Sequence, residues 1–535
     1  MRGNSGRIRL AATAFVLLMA PGAFAGRTIY VDDDGPADFN NIQVAIDDAD
    51  DGDVVVVKPG TYTGDGNRDI DFHGKAITVR STEPNNVNIV AATIIDCNGT
   101  EVEPHCGFYF HSHEDANSLG AGFTITKGCG HMKKFGDAMW SFGGGIYCEQ
   151  SGPTISNCAI ANNKAIQGAG IFAWKNSSPK IVGCTVSSNI PLRGGGGGIY
   201  CWENTAANII NCLICENAGR GIYCWDSPLV YITNCTITSN EYEGVIISGN
   251  GSFTVEGCVI SNNRSEGIRA SLYETGSAMI SNCVISGNNN PVTSGGGIRL
   301  FVLDDASVII ANCTITGNSA VSRFDIISPG GIACCSVANA FVTNTVIWNN
   351  VGGDVHLFNL APPPDDIWFE KPSQLMLSYC CVGEASVEPD PYVGDPVLLW
   401  GDGNMNSDPC FASSGYWDPN GTPDTANDDF WVDGDYHLKS QAGRWDPETQ
   451  SWVKDDVTSP CIDAGDPNSP VGLEPFPNGG IINMGVYGGT AEASKSYFGE
   501  PVCETIVAGD INGDCRVDFE DFRILALHWL QDENR

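Results

Sequence analysis

The sequence predicts an all-β solenoid, wound as a right-handed parallel β-helix, with an N-terminal cap helix and a small C-terminal loop-helix calcium module. Three observations carry that prediction. One phrase recurs between Ser156 and Asn350, as SNCAIANN, VGCTVSSN, INCLICEN, TNCTITSN, EGCVISNN, SNCVISGN, ANCTITGN and TNTVIWNN. Its cysteines, Cys158, Cys184, Cys212, Cys235, Cys258, Cys283 and Cys313, stand 23 to 30 residues apart, a period that marks stacked repeats. A second phrase interleaves with it, as GGGIYC, GAGIFA, GGGIYC, GRGIYC, EGVIIS, EGIRAS, GGGIRL and PGGIAC, so each repeat holds at least two short strands punctuated by Gly and Asn. Third, the residue before each repeating cysteine is Asn157, Gly183, Asn211, Asn234, Gly257, Asn282 or Asn312, and Asn344 precedes Thr345. Asn and Gly enter the left-handed backbone region readily, where other residues lose about 1–2 kcal/mol. A sharp corner therefore recurs once per turn.

Residues 1–25 read as a signal peptide. Arg2, Arg7 and Arg9 precede the apolar run from Leu10 to Ala20, and Ala23-Phe24-Ala25 supplies the small-residue cleavage site. The mature protein is expected outside the cell or in the cell envelope, after cleavage near Ala25. No later apolar run reaches the ~20 residues of a membrane span. Residues 26–104 are expected to form the N-terminal cap and first coils, with strands Thr28 to Val31 and Val54 to Val57. Between them Ile42, Ala45, Ile46 and Ala49 have the spacing of an amphipathic helix, which would cover the open sheet edge.

Residues 105–350 are the regular coils, and Gly122-Phe123-Thr124-Ile125 fits the same frame. After the corner, Cys158 and Ile160 alternate with small or polar residues, so they point inward. Ile146, Ile171, Ile199, Ile222, Val245, Ile268, Ile298 and Ile332 form a second inward ladder. Residues 351–499 begin with the loop Pro362-Pro363-Pro364, add a degraded coil at Leu375 to Val382, and end in irregular terminal coils and capping loops. Residues 500–535 form a separate module.

The chain has 64 glycines and only 17% charged residues, a composition suited to a tubular core. Its net charge of −36 argues against nucleic acid and anionic lipid, whose phosphates need Lys and Arg. It is compatible with divalent-cation binding. Most of the 22 cysteines are expected as unpaired core residues, because strands ~4.8 Å apart hold Cβ atoms wider than a disulfide prefers. Cys97 with Cys106, and Cys503 with Cys515, are the better candidates for bridges.

The outward face of the Gly-Gly-Ile strand is the first candidate site. If Ile points in, Tyr147, Phe172, Tyr200 and Tyr223 point out, and so do Glu149, Trp174, Trp202 and Trp225. Glu203 and Asp226 edge these two aromatic files, and Arg269 and Arg299 continue them. Aromatic faces with flanking carboxylates suit sugar rings, whose C–H faces are apolar and whose rims need hydrogen bonds. Trp174, Trp202, Trp225, Tyr200, Tyr223, Glu203, Asp226, Arg269 and Arg299 are the candidate carbohydrate-binding residues.

The tail GDINGDCRVDFEDFRILALHWL is the second. Asp510, Asn512, Asp514, Asp518 and Asp521 occupy positions one, three, five, nine and twelve of a calcium loop, and Arg516 offers its carbonyl at seven. Phe519, Phe522, Ala526 and Trp529 follow at helical spacing. The segment resembles half of a dockerin type I module, or a single EF-hand-like loop. That resemblance implies Ca²⁺ as cofactor and a cohesin-like protein as a partner for residues 500–535. Cys515 replaces the usual glycine, Asp521 the usual glutamate, and one loop stands where dockerins have two.

IQVAIDDADDGDVVVVKPGTYTG, GFTIT and the GGGIYC/NCTITGN coils together resemble the pectin-lyase-like right-handed β-helix superfamily, over about residues 27–495. SPCIDAGDPNSP and GGIINMGVYGGTAEASKS resemble the terminal segment of large secreted bacterial members. The resemblance implies a secreted or surface protein that binds polysaccharide and, as an enzyme, would be a lyase or glycoside hydrolase. The repeats also resemble those of polymorphic outer-membrane surface proteins, which implies, as the alternative, a non-catalytic adhesin. NTD, GHG and RIK motifs are absent, and Gly130-His131 lacks its second glycine, so no catalytic residue is assigned.

Overall fold

The computed structural model describes residues 26–499 apart from 137, 194, 292–294, 321–328, 338, 360–371, 389–393 and 422–428, together with 509, 511 and 516–529. The coils stack into three long parallel sheets of 14, 12 and 11 strands. Thr154–Ser156, Ala159–Ala161 and Ile171–Trp174 are one coil's contributions to the first, second and third sheets. They pair in register with the next coil, Ile155 against Ile181, Ile160 against Val186 and Ile171 against Ile199. Gln374–Ser378 and Cys381–Val382 add a further coil beyond Asn350. Among the described residues no helix is long and apolar enough to cross a membrane.

The corner between the first and second sheets is the left-handed one. Asn157, Asn211, Asn234, Asn282, Asn312 and Asn344 have φ of 50° to 54°, and Gly183 and Gly257 have 63° and 64°. Inside, the cysteine ladder does more than fill space. The peptide N–H of Cys212 donates to Cys235 Sγ at 3.5 Å, and that of Cys235 to Cys258 Sγ at 3.4 Å. Each thiol then donates within its own coil, as Cys235 does to the Thr233 carbonyl at 3.3 Å. Thr345 takes over at the end: its Oγ1 accepts from the Cys313 N–H at 3.3 Å and donates to Thr343 at 2.8 Å. The position needs a small side chain that both accepts and donates. Cys235→Thr is therefore expected to cost under about 1 kcal/mol, whereas Cys235→Val orphans the Cys212 N–H and costs about 1–3 kcal/mol. Urea midpoints of the two variants check the difference.

A second interior ladder is made of amides. Asn163, Asn189, Asn217, Asn240, Asn263, Asn288 and Asn318 are buried, each donating from Nδ2 to the Oδ1 of the next. Asn350 ends the file on Asp354 Oδ1 at 2.7 Å. Burial is the main influence on that carboxyl and pushes it above its usual range.

Cys97 and Cys106, expected as a bridge, are free thiols. Cys97 lies in the tube core, while Cys106 packs with Phe142, Tyr147 and Phe172 outside the third sheet. The two side chains pack in different clusters, one inside the tube and one outside it, and are not joined. Cys503 and Cys515 lie outside the described residues.

At the N-terminal end, Asn41 caps the helix Ile42–Asp48 by accepting from the Val44 N–H, and Ile42, Ala45 and Ile46 are buried in the core. The described residues of 405–497 fold back along the flank of the second sheet. Asn262 and Trp431 exchange two hydrogen bonds, Ser286 reaches Asp433, and Thr314 accepts from the Val486 N–H. Buried within this flank, Glu474 accepts from the Asn483 and Gly489 N–H groups at 2.8 Å each. Burial, aided by the nearby Asp463 charge, pushes its carboxyl up to about 7. A carboxyl raised in the folded state loses stability as pH climbs from its unfolded value toward 7. The flank should therefore weaken by about 1–3 kcal/mol between pH 5 and pH 8. Glu474→Gln, which keeps the accepting oxygen, should remove much of that slope in melting curves at the two pH values.

Candidate functional site

The outward face of the third sheet carries the two predicted files in register. Tyr109, Tyr147, Phe172, Tyr200 and Tyr223 are successive partners in one, and Glu149, Trp174, Trp202 and Trp225 in the other. The tryptophan rings, and Tyr200 with Tyr223, lie flat on one another, whereas Phe172 meets Tyr200 edge-on. Trp174 and Trp202 centroids are 5.8 Å apart, Trp202 and Trp225 5.9 Å, and Tyr200 and Tyr223 4.6 Å, with planes within 16° of parallel.

Half of this face is covered, contrary to expectation. Trp174 and Tyr200 are only 4% and 3% exposed. The hairpin of strands His131–Phe135 and Ala138–Phe142 lies over Trp174, with Phe142 stacked on Phe172 and Trp174 and Lys133 above Trp174. Tyr200 is enclosed by Phe172, Trp202 and Tyr223. Trp174 Nε1 donates to Glu203 Oε2 at 2.6 Å, which fixes both. Glu149 is held between Lys133 and Lys175 and accepts from the Tyr147 hydroxyl. Burial alone would raise its carboxyl, but these partners outweigh burial and hold it below the ordinary range.

The open half begins at Trp202. Tyr223 is half-buried and Trp225 is 39% exposed. Because stacked rings hide each other's faces, the free face of the tryptophan file is the far side of Trp225. There the file continues as Ser248, Ser271 and Phe301. Two small serines between two large rings leave a slot about three coil steps long, ~14 Å. Asp226 stands at its edge and accepts from the Tyr273 hydroxyl at 2.5 Å.

The predicted arginines do not extend the file directly, since Ile246 intervenes after Tyr223. They stand further along the same tyrosine file, Arg269 next to Ile246 and Arg299 next to Arg269, and reach into an ionic row at its edge. Glu243 lies 3.0 Å from Arg220 and 3.7 Å from Arg269, and Glu266 lies 3.3 Å from Arg299. Arg269 and Arg299 also sit above the Phe301 ring.

One cluster on this face was missed from sequence. Ile70 bridges to Phe108, which brings Asp71 beside Tyr109 at the head of the first file. His73 Nδ1 and His111 Nε2 lie 2.9 and 3.1 Å from the same Asp71 oxygen. His111 and His131 both stack on Tyr109, and burial lowers the pKa of His131. The signal was a density of histidines, since four of the eight in the chain fall between 105 and 131.

In the tail, Asp510, Asn512 and Asp514 lie outside the described residues. Asp518 opens the helix Phe519–Trp529 by accepting from the Glu520 N–H. Asp521 is buried, and its two oxygens accept from the Ile511 and Asp518 N–H groups. Arg516, Phe519 and Phe522 are exposed.

The family described as "Right handed beta helix region" matches residues 85–228 and 197–362, together more than half of the chain. The chain belongs to that right-handed β-helix family. A second family, "Disaggregatase related", matches residues 405–465 of the flank. No curated protein matches the sequence. Among solved structures, this β-helix is similar to pectate lyase Pel9A at 17% identity, covering 87% of this chain and 97% of that one, with a TM-score of 0.41. It is similar to PfbA, a surface adhesin of Streptococcus pneumoniae, at 13% identity, covering 78% and 94%, with a TM-score of 0.40. For the periplasmic alginate epimerase AlgG the values are 13%, 66%, 77% and 0.38.

Proposed function

We propose that this β-helix is a secreted or cell-surface protein that holds extracellular polysaccharide in the slot between Trp225 and Phe301. The observation that carries the reading is the free face of Trp225 above Ser248 and Ser271, at the open end of an otherwise covered aromatic stack. A sugar ring lies flat on such a face, while Asp226, Tyr273 and the serine hydroxyls offer hydrogen bonds to its rim. Arg269, only 3.7 Å from its partner Glu243, can turn to an acidic sugar. The test is affinity electrophoresis of the mature chain in gels containing pectate, alginate or neutral glycans. At least one polymer should retard the protein, and Trp225→Ala or the slot-filling Ser271→Tyr should weaken binding tenfold or more. Trp174→Ala, under the hairpin, is a poor control because it opens the buried cluster. Retardation unchanged in both slot variants, or by no polymer at all, would refute the reading.

A second reading, cleavage, is favoured by one observation. Asp71 shares an oxygen between two imidazoles beside Tyr109, groups suited to moving a proton at a sugar carbon or leaving oxygen. It predicts unsaturated or reducing products from uronate polymers that vanish in Asp71→Asn. The calcium-loop reading of the tail would serve attachment: Asp521, whose carboxylate accepts from the Ile511 and Asp518 N–H groups, would be the twelfth ligand for Ca²⁺. Asp510, Asn512, Asp514 and Asp518 with the Arg516 carbonyl would complete the set. Titrating the full mature chain with Ca²⁺ should release heat that Asp510→Ala abolishes.

A further inference from the structure

The described flank segment does not lie flat on the coils throughout. Strands Tyr416–Asp418 and Phe430–Val432 form an antiparallel hairpin that stands over the turns linking the second and third sheets. Between hairpin and turns is a cleft of about 750 Å³, within the size range of small-ligand sites. It lies apart from the aromatic files, and neither family match nor the slot accounts for it.

Its walls and floor have distinct chemistry. Trp417 and Phe430 line the hairpin side, and Tyr242 lines the coil side. Phe430 and Tyr242 are 45% and 50% exposed. The floor is built by coil stacking, with Glu216, Ser239 and Asn262 in one file and Glu241 and Arg264 in the next. Each step along such a file is ~4.8 Å, on the order of one pyranose ring. Next to the cleft, Trp431 is seated above Gly287 and Gly317. Glu216, Glu241 and Asp429 contribute three carboxylates against the single Arg264, which already lies 3.4 Å from Glu241.

We infer that this cleft is a second glycan site, and that it takes a neutral oligosaccharide lying along the helix axis. The aromatic rings offer apolar faces for the C–H surfaces of the sugar. The carboxylates accept hydrogen bonds from hydroxyls, which a neutral sugar supplies in number. The same carboxylates repel uronates, sulfates and phosphates, since Arg264, the one cation among the described lining residues, is already engaged with Glu241. The slot at Trp225 and this cleft therefore select differently charged stretches of glycan. Two sites on one rigid coil stack would bind a mixed polymer with greater avidity than either alone.

Calorimetry on the mature chain tests this with four probes: cellohexaose, xylohexaose, mannohexaose and hexagalacturonate. At least one neutral hexamer should bind, and Tyr242→Ala and Phe430→Ala should each weaken it fivefold or more. Both rings are exposed, so their loss leaves the core intact. Trp225→Ala should leave that binding unchanged while weakening the polymer held in the slot. Neutral binding that survives both cleft variants, or that is lost with Trp225→Ala alone, overturns the proposal. So does the absence of heat with all three neutral hexamers, whatever the slot binds.

Discussion

Asn263→Leu is expected to lower stability by about 3–5 kcal/mol and to loosen the coils on either side of it. Leucine has the same branched side-chain skeleton as asparagine and is the bulkier of the two, so the loss is not a cavity. Asn263 donates from Nδ2 to Asn288 Oδ1 at 2.9 Å and to the Ile237 carbonyl at 3.1 Å. Its Oδ1 accepts both the peptide N–H and the side-chain amide of Asn240 at 3.1 and 2.9 Å. All of these groups are buried, and no water-sized exposure remains at Asn240, Asn263 or Asn288. An apolar replacement strands two donors of one coil and removes a donor from two acceptors. Each stranded group carries a desolvation penalty of about 1–3 kcal/mol. Chemical denaturation should show a lower midpoint than Asn250→Leu, a substitution at an exposed turn. Equal midpoints would mean that the amide file contributes no more than an outer turn does.

The corners, the cysteine ladder and the isoleucine ladder were legible because each repeats at fixed offset and follows from local backbone geometry. Asn157 and Asn211 could only be turning, and Cys158 and Ile160 could only face one way on a strand. The amide ladder was not legible for a local reason. Asn163, Asn189 and Asn217 end the repeated phrase, where asparagine reads as a solvated turn. Only closure of the next turn buries them. The outward files were also read in the correct register. Their cover was not, because the hairpin His131–Phe142 lies outside the repeated phrases. Nor does alternation reveal that stacked rings hide each other's faces, leaving Trp225 as the useful one. The flank did leave a trace. The outer file reads Asn162, Ser188, Glu216, Ser239, Asn262, Gly287, Gly317 and Asn349, and side chains vanish only where Trp431 sits.

That trace leads to the second large effect: Gly287→Ala combined with Gly317→Ala should detach the flank from the coils. A Cβ at Gly287 would stand 2.1 Å from Trp431 Cβ, and one at Gly317 would stand 2.2 Å from Trp431 Cη2. Both glycines have left-handed φ, 58° and 65°, but that conformation alone does not decide the outcome. Ser188, Glu216 and Ser239 adopt it in the same file at φ of 54° to 57°. The clash with a fixed indole decides it. Trp431 is 4% exposed and donates from Nε1 to the Tyr436 hydroxyl at 3.1 Å, so it cannot move aside without losing its place. Expelling a buried tryptophan costs about 3–5 kcal/mol, comparable with the whole margin of a modest domain. The coils do not depend on the flank for their ladders, so they should persist. Limited proteolysis should then cut within 405–497 while leaving a resistant fragment that retains the β-sheet circular dichroism. Cys461, fully buried beside Cys381 and Met484, should become reactive to thiol reagents in the same variant. Ser239→Ala, at the same position of the file but clear of Trp431, should do neither. An unchanged digestion pattern in the double variant would show that Trp431 has another seat, and that the glycines are incidental to it.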